Sequence, residues 1–248
     1  MMKAMLLILL FAMPWATQTA QAEAGLHLRA VDVDLTDHAA LQRGAKYFVN
    51  YCLSCHSLSA VRYNLFERLG LTPDQIRENL IFTGRKIGET MEVAMRPEDA
   101  KRWFGAPPPD LSVIARARGA DWLYAYLTTF YLDDTRPTGV DNLAFPKVAM
   151  PNVIWQLQGQ QAAVYADGAT RPPSTDAPID HLNLVQPGTM TPVEYERTAR
   201  DLVGFLVYVG EPNKVQRQNL GLWVLSFLGL LFVVSYFLKK EYWKDVRH

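Results

Sequence analysis

The chain has two cysteines, and both fall in one five-residue stretch, Cys52-Leu53-Ser54-Cys55-His56. Two thiols three positions apart can each form a thioether to one porphyrin vinyl group, and the imidazole that follows is then held beneath the iron as its proximal ligand. This is the attachment pattern of a c-type haem. A structural zinc site would want four ligands, and a thioredoxin-like redox pair needs no adjacent histidine. A disulfide elsewhere is excluded by count, because the motif uses both thiols.

His56 supplies one axial position, and the other decides whether the iron carries electrons or binds a further ligand. Beyond the first 22 residues the methionines are Met91, Met95, Met150 and Met190, and the histidines are His27, His38, His181 and His248. Met150 lies in a long stretch rich in Pro, Gly and Asp and is followed by Pro151, which restricts its backbone and can present the sulfur rigidly. Val148, stiff at its β-carbon, adds to that restriction. Met190 is the second choice, and a histidine or an open site remains an alternative. Any of the methionines could equally fill a core. Buried haem propionates need cationic or amide partners. Arg116 and Arg118, just after Pro108-Pro109-Asp110-Leu111-Ser112, suit them because guanidinium pairs with carboxylate bidentately; the bland alternative is a solvated face.

These groups must be positioned by helices. With Thr36 or Asp37 as N-cap, Leu41, Ala45, Phe48, Val49 and Cys52 recur at helical spacing and carry one apolar face into the first cysteine. Gly44 on an adjacent face permits another helix to approach closely. Thr72-Pro73-Asp74-Gln75 combines N-cap, proline at N1 and a capping-box Gln, opening a short helix that Gly84 closes. Residues 89–104 read as helical or irregular, and Pro107-Pro108-Pro109 stiffens the chain into extended form. Helices are expected over 110–118 and 121–132, a long loop over 133–152, and a small hairpin at the Asp167-Gly168 turn signal. Thr191-Pro192-Val193-Glu194 starts the best-marked helix, whose stripe of Tyr195, Ala199, Leu202, Val203, Leu206 and Val209 ends at Gly210. It is expected to cross the first helix, with Gly44 against Phe205 or Tyr208.

Lys3, the apolar run 4–16 and Ala20-Gln21-Ala22 read as a secretory signal peptide over residues 1–22. Residues 220–238 carry no charge and as a helix cover roughly 28 Å, close to the thickness of a bilayer core. The expected organisation is therefore signal peptide 1–22, periplasmic haem domain 23–215, transmembrane helix 216–239 and cytoplasmic tail 240–248. Lys239, Lys240, Lys244 and Arg247 sit on the side that should be positive. Acidic and basic residues balance at 25 each, which indicates no nucleic-acid partner. Glu89, Glu92, Asp133 and Asp134 offer negative charge to a basic acceptor protein. The fold class is mostly α: a c-type cytochrome haem domain with long loops, plus one C-terminal transmembrane helix.

With these residues assembled, the chain resembles the cytochrome c1 family, the haem-bearing subunits of bacterial ubiquinol:cytochrome c reductase (bc1) complexes. The likeness spans the haem motif, Met91 and Arg96-Pro97 leading into Trp103-Phe104-Gly105, Pro107 to Ser112 followed by Arg116-Ala117-Arg118, Ala149-Met150-Pro151, Tyr165 to Thr170, and the single C-terminal anchor. The resemblance implies one covalent haem c, Met150 as sixth ligand and Arg118 as the arginine that meets a propionate. It also implies an electron relay in the inner membrane, from the Rieske iron-sulfur protein to a periplasmic cytochrome c, with cytochrome b as a further partner and no substrate chemistry of its own. Asn152 and Val148 depart from residues common in the family, proline and alanine, and there is no second cysteine pair for the disulfide of some relatives. A stand-alone membrane-anchored cytochrome carrier and a haem sensor or peroxidase are the readings from other classes.

Overall fold

A computed structural model describes residues 29–165 and 178–245. The signal peptide, His27, His248 and the Asp167-Gly168 turn lie outside the described residues. In chain order the helices are α1 (His38–Tyr47), α2 (Pro73–Leu80), α3 (Pro97–Phe104), α4 (Ile114–Arg118), α5 (Ala120–Thr128), α6 (Trp155–Gln158), α7 (Pro192–Gly210) and α8 (Lys214–Tyr242). The strands are β1 (Leu58–Arg62), β2 (Thr90–Met91), β3 (Phe130–Leu132), β4 (Val140–Asn142), β5 (Gly159–Tyr165) and β6 (Ile179–Pro187). The domain is mostly α with a sheet: four strands in the order β4-β3-β5-β6, and a separate antiparallel pair β1-β2.

The core is organised by the crossing of α1 and α7. The Asp37 side chain caps α1 by accepting from Ala40 N at 2.9 Å. Thr191 and Glu194 form a reciprocal capping box on α7, Thr191 N donating to Glu194 Oε2 at 2.8 Å. All six residues of the stripe expected on α7 are buried. A Cβ placed on Gly44 would lie 2.1 Å from the Asp201 carbonyl oxygen and 2.7 Å from Phe205 Cβ, so the two backbones meet there with no room for a side chain. Beside that contact Phe205 packs on Phe48 and Phe66, with ring centroids 5.5 and 5.9 Å apart. Arg43 grips the buried Asp201 through two bonds, Nε–Oδ2 at 2.6 Å and Nη2–Oδ1 at 3.2 Å. The close approach falls on Phe205.

Several elements differ from the sequence expectation, each for a local reason. The first helix changes pitch at Phe48 into a π-helical turn, Phe48–Cys52, which delivers the motif. The helix opened by Thr72 stops after its last buried residue, Leu80, and Gly84, at φ 72°, lies in the loop beyond. The 110–118 helix begins only at Ile114, because Asp110 is engaged in a turn with Ser112. The 121–132 helix ends at Thr128, where the Thr128 and Thr129 hydroxyls donate back to the carbonyls of Tyr124 and Ala125 at 2.8 and 2.7 Å; the β-prone Phe130-Tyr131-Leu132 then forms a strand. The long loop over 133–152 contains β4, and the expected hairpin is larger, with β5 and β6 pairing antiparallel over seven residue pairs. Residues 89–104 contain both β2 and α3.

Helix α8 has 29 residues, none of them buried, and a mean hydropathy of 2.2 in its most apolar window, which makes it long and apolar enough to cross a membrane. It follows α7 after only residues 211–213.

Gly44→Ala is expected to destabilise the domain by about 2 kcal/mol despite alanine's better helix propensity, because backbone rather than a movable side chain blocks the added methyl. Urea denaturation of the full chain followed by circular dichroism measures it; a variant as stable as the parent would show that α1 and α7 do not meet there.

Candidate haem site

The motif occupies the end of the π-helical turn and the bend after it. Cys55 N and His56 N both donate to the Cys52 carbonyl, at 3.0 and 2.8 Å, so the two sulfurs share one turn of chain. Both thiols are free of any disulfide. Cys52 keeps some accessible surface but is densely surrounded by protein, and this burial, with Cys55 beside it, pushes its thiol up to about 12. A redox-exchange pair would call for a lowered value instead. Among the described residues no group of three or more His, Cys, Asp or Glu side chains is arranged to hold a metal ion, so no zinc set forms around the motif there.

The histidine is oriented by the proline-rich segment. His56 Nδ1 lies 2.7 Å from the Pro109 carbonyl oxygen. A carbonyl can only accept, so Nδ1 carries the proton and the lone pair is left on Nε2, the tautomer a metal requires. Burial lowers the His56 pKa, against the opposite pulls of that carbonyl and of Asp110, which favours the neutral ring. The two segments then run alongside each other. Leu111 N donates to Ser57 O at 2.9 Å, Ser59 N to Asp110 Oδ2 at 2.8 Å, and Ala60 N to Ser112 Oγ at 3.1 Å. Ser57 Oγ in turn accepts from Val93 N at 3.0 Å. Burial works to raise the Asp110 carboxyl, but the bonds from Ser112 and Ser59 outweigh it and hold the group below the usual carboxylate range.

Met150 sits in a loop fixed at both ends by buried polar side chains. Before it, Asp141 Oδ1 accepts from Val148 N at 3.1 Å, and Asn142 Oδ1 accepts from Ala144 N and Phe145 N at 2.9 and 3.1 Å. After it, Asn152 Oδ1 accepts from Ile154 N at 3.3 Å. Asn152 Nδ2 reaches Gln158 Oε1 at 3.4 Å, and Gln158 Nε2 donates to Thr128 O. The two departures from the family pattern, Val148 and Asn152, are thus part of the brace, and both are buried. Lys147 turns the loop at φ 62°, the one non-glycine residue with positive φ among those described. Tyr126 donates its hydroxyl to Met150 Sδ at 3.3 Å.

The other sequence candidates separate. The Arg118 guanidinium lies 5.1 Å from the Trp122 ring centroid and 6.0 Å from that of Phe145, and Trp122 stacks on Tyr126, so Arg118 stands on the Met150 side. Arg116 instead lies against the end of α7 near Gly210. Neither arginine has an ion-pair partner among the described residues. Met91 is fully buried in the core and Met190 is partly buried against it, where its sulfur accepts from Thr198 Oγ1 at 3.6 Å. His38 is exposed at the start of α1, and His181 pairs with Asp180 at 2.8 Å on β6. Of the acidic residues, Glu92 and Glu89 are paired with Arg85, at 3.2 and 4.0 Å, and Asp133 accepts from Thr135.

Residues 31–246 match the model of the Cytochrome C1 family. The chain belongs to the cytochrome c1 family. It is 47% identical over 242 residues to the cytochrome c1 of Allochromatium vinosum, covering 97% of this chain and 98% of that one. It is 48% identical over 248 residues to a Nitrosomonas europaea protein named ammonia monooxygenase gamma subunit, covering 99% of each. Among solved structures, a chain of a hyperthermophilic respiratory Complex III aligns at a TM-score of 0.43 and 15% identity, covering 99% of this chain and 97% of that one. Membership of the cytochrome c1 family implies a covalently bound haem c, and the motif, the single available His56 nitrogen and the free arginine fit such a group.

Residue types alone did not single out Tyr126, Asp141, Asn142 or Gln158 among the groups around the cytochrome c1 site. The adjacent Asp141-Asn142 pair in a loop was the available signal, since Asx side chains bond to backbone N–H groups a few residues on. Asp110→Asn is expected to cost about 1 kcal/mol at neutral pH, a charged hydrogen-bond value discounted for exposure. Because the folded carboxyl titrates below its unfolded value, this contribution is full above about pH 4 and is lost as the pH falls through the folded value. Parent and variant unfolding curves measured at neutral pH and at acid pH should therefore converge toward acid; a gap that widens there would contradict the assignment.

Proposed function

We propose that this protein is the electron-carrying haem subunit of a quinol:cytochrome c oxidoreductase (bc1) complex, with no substrate chemistry of its own. The observation that carries the reading is the fixed tautomer of His56, which aims one imidazole lone pair from the Cys-x-x-Cys-His motif of a cytochrome c1 family member. When bound, a haem supplies a one-electron ferric/ferrous couple. Cys52 and Cys55 would tether such a group, His56 Nε2 and Met150 Sδ would bond its iron, and Arg118 would pair a propionate, with Arg116 left to support α7. A fixed imidazole and a thioether on a braced loop would need little rearrangement on oxidation, and a thioether favours the ferrous state, so the pair would suit a one-electron relay at high potential.

The electron comes from the Rieske iron-sulfur protein and leaves to a periplasmic cytochrome c, with cytochrome b as the membrane partner of α8. Residues 1–22 serve as signal peptide, 23–215 as the periplasmic domain carrying one haem, 216–239 as a single span of the inner membrane and 240–248 as the cytoplasmic tail. The relative named for ammonia monooxygenase raises a second reading, a haem subunit of that enzyme, from a match as extensive as that to the Allochromatium vinosum protein. Purification through this chain separates the two: co-purifying b-type haem and an iron-sulfur centre support the bc1 reading, and a monooxygenase in their place overturns it.

Met150→Leu in the intact complex is expected to lower the reduction potential steeply and to open the reduced haem to carbon monoxide, as read by redox titration at the c-type haem band. An unchanged potential and no carbon monoxide response would make Met150 a packing residue and remove the axial assignment.

A further inference from the structure

Tyr126 holds the Met150 loop at two points. Its hydroxyl donates to Met150 Sδ at 3.3 Å, and its backbone carbonyl accepts from Asn142 Nδ2 at 2.8 Å. Asn142 is 1% exposed and uses its remaining side-chain atom on the Ala144 and Phe145 N–H groups, so the start of the loop and its sulfur are referred to one residue of α5. The ring is itself fixed. It stacks on Trp122 at 5.1 Å and 19°, and meets Phe130 edge-on at 5.3 Å and 75°. A thioether sulfur has two lone pairs. A hydrogen bond to one leaves the other for iron and draws electron density away from it.

Resting on the reading of Met150 as sixth ligand, we propose that Tyr126 is a positioning residue that sets the orientation and donor strength of the Met150 sulfur and thereby raises the reduction potential. A sulfur made a weaker donor stabilises ferric iron less than ferrous, so the bond favours the reduced state. This role is separate from packing, since the stacked ring without its hydroxyl would hold the same space.

The test uses the full-length protein in its membrane complex, with Tyr126→Phe to delete the hydroxyl and keep the ring. At the parent's midpoint the ferric-to-ferrous ratio should rise about fivefold, the size of one neutral hydrogen bond, or about 40 mV at 59 mV per tenfold. The methionine-to-iron charge-transfer absorption of the ferric form should move, while the reduced haem stays closed to carbon monoxide. In a Met150→Leu background the same change should have no effect on potential. A Tyr126→Phe complex with the parent potential and absorption overturns the proposal, provided Met150→Leu alone shows its loss. If Met150→Leu is also silent, the axial reading itself has failed.

Discussion

The bond between His56 Nδ1 and the Pro109 carbonyl is the constraint on which the site depends. It joins residues 53 positions apart and decides which ring nitrogen is free. Nothing within the motif could do this, because the five motif residues leave the imidazole free to rotate about its side-chain bonds. The proline-rich segment can, since Pro107 to Pro109 form a stiff strip whose carbonyls have few alternative directions. The bonds from Leu111 to Ser57, from Ser59 to Asp110 and from Ala60 to Ser112 then fasten that strip along the chain leaving the motif.

The two proposed axial groups are thus held by different means. His56 is aimed by backbone, through a carbonyl that no side-chain substitution at Pro109 would remove. Met150 is aimed by side chains, in a loop whose shape depends on Asp141, Asn142, Asn152 and Gln158. Buried amide and carboxylate groups with satisfied bonds make a loop rigid, whereas one left unsatisfied costs its full desolvation. The loop is therefore more sensitive to mutation than the motif's proline strip. The Lys147 corner at φ 62° persists because bonds on both of its sides over-determine it.

How far the sequence revealed this depended on range. The capping boxes at Thr72 and Thr191, the α7 stripe and the approach at Gly44 are set by residues within one helix turn or by the absence of a side chain, and they were legible. Helix ends were less so: residues 128–132 carry an apolar spacing compatible with helix, and only pairing of Phe130–Leu132 with β4 and β5 makes a strand of them. The sheet escaped because β3 and β5 pair in parallel across a wide sequence separation, which no local pattern reports. At the site, the residues proposed to bond iron or its side groups have distinctive chemistry, while those that orient them, such as Tyr126 and Asn142, are ordinary until their partners are known.

The seam between α1 and α7 also fixes an order of assembly. Arg43 and Asp201 are 158 residues apart, so this contact cannot close until most of the chain has been synthesised. Tyr195 of α7 donates to the Leu127 carbonyl at 2.7 Å, so the arrival of α7 also fastens the end of α5. Until then the end of α1 lacks its lid. The long loop closure thus delays the shutting of the core until the last helix before α8 has arrived.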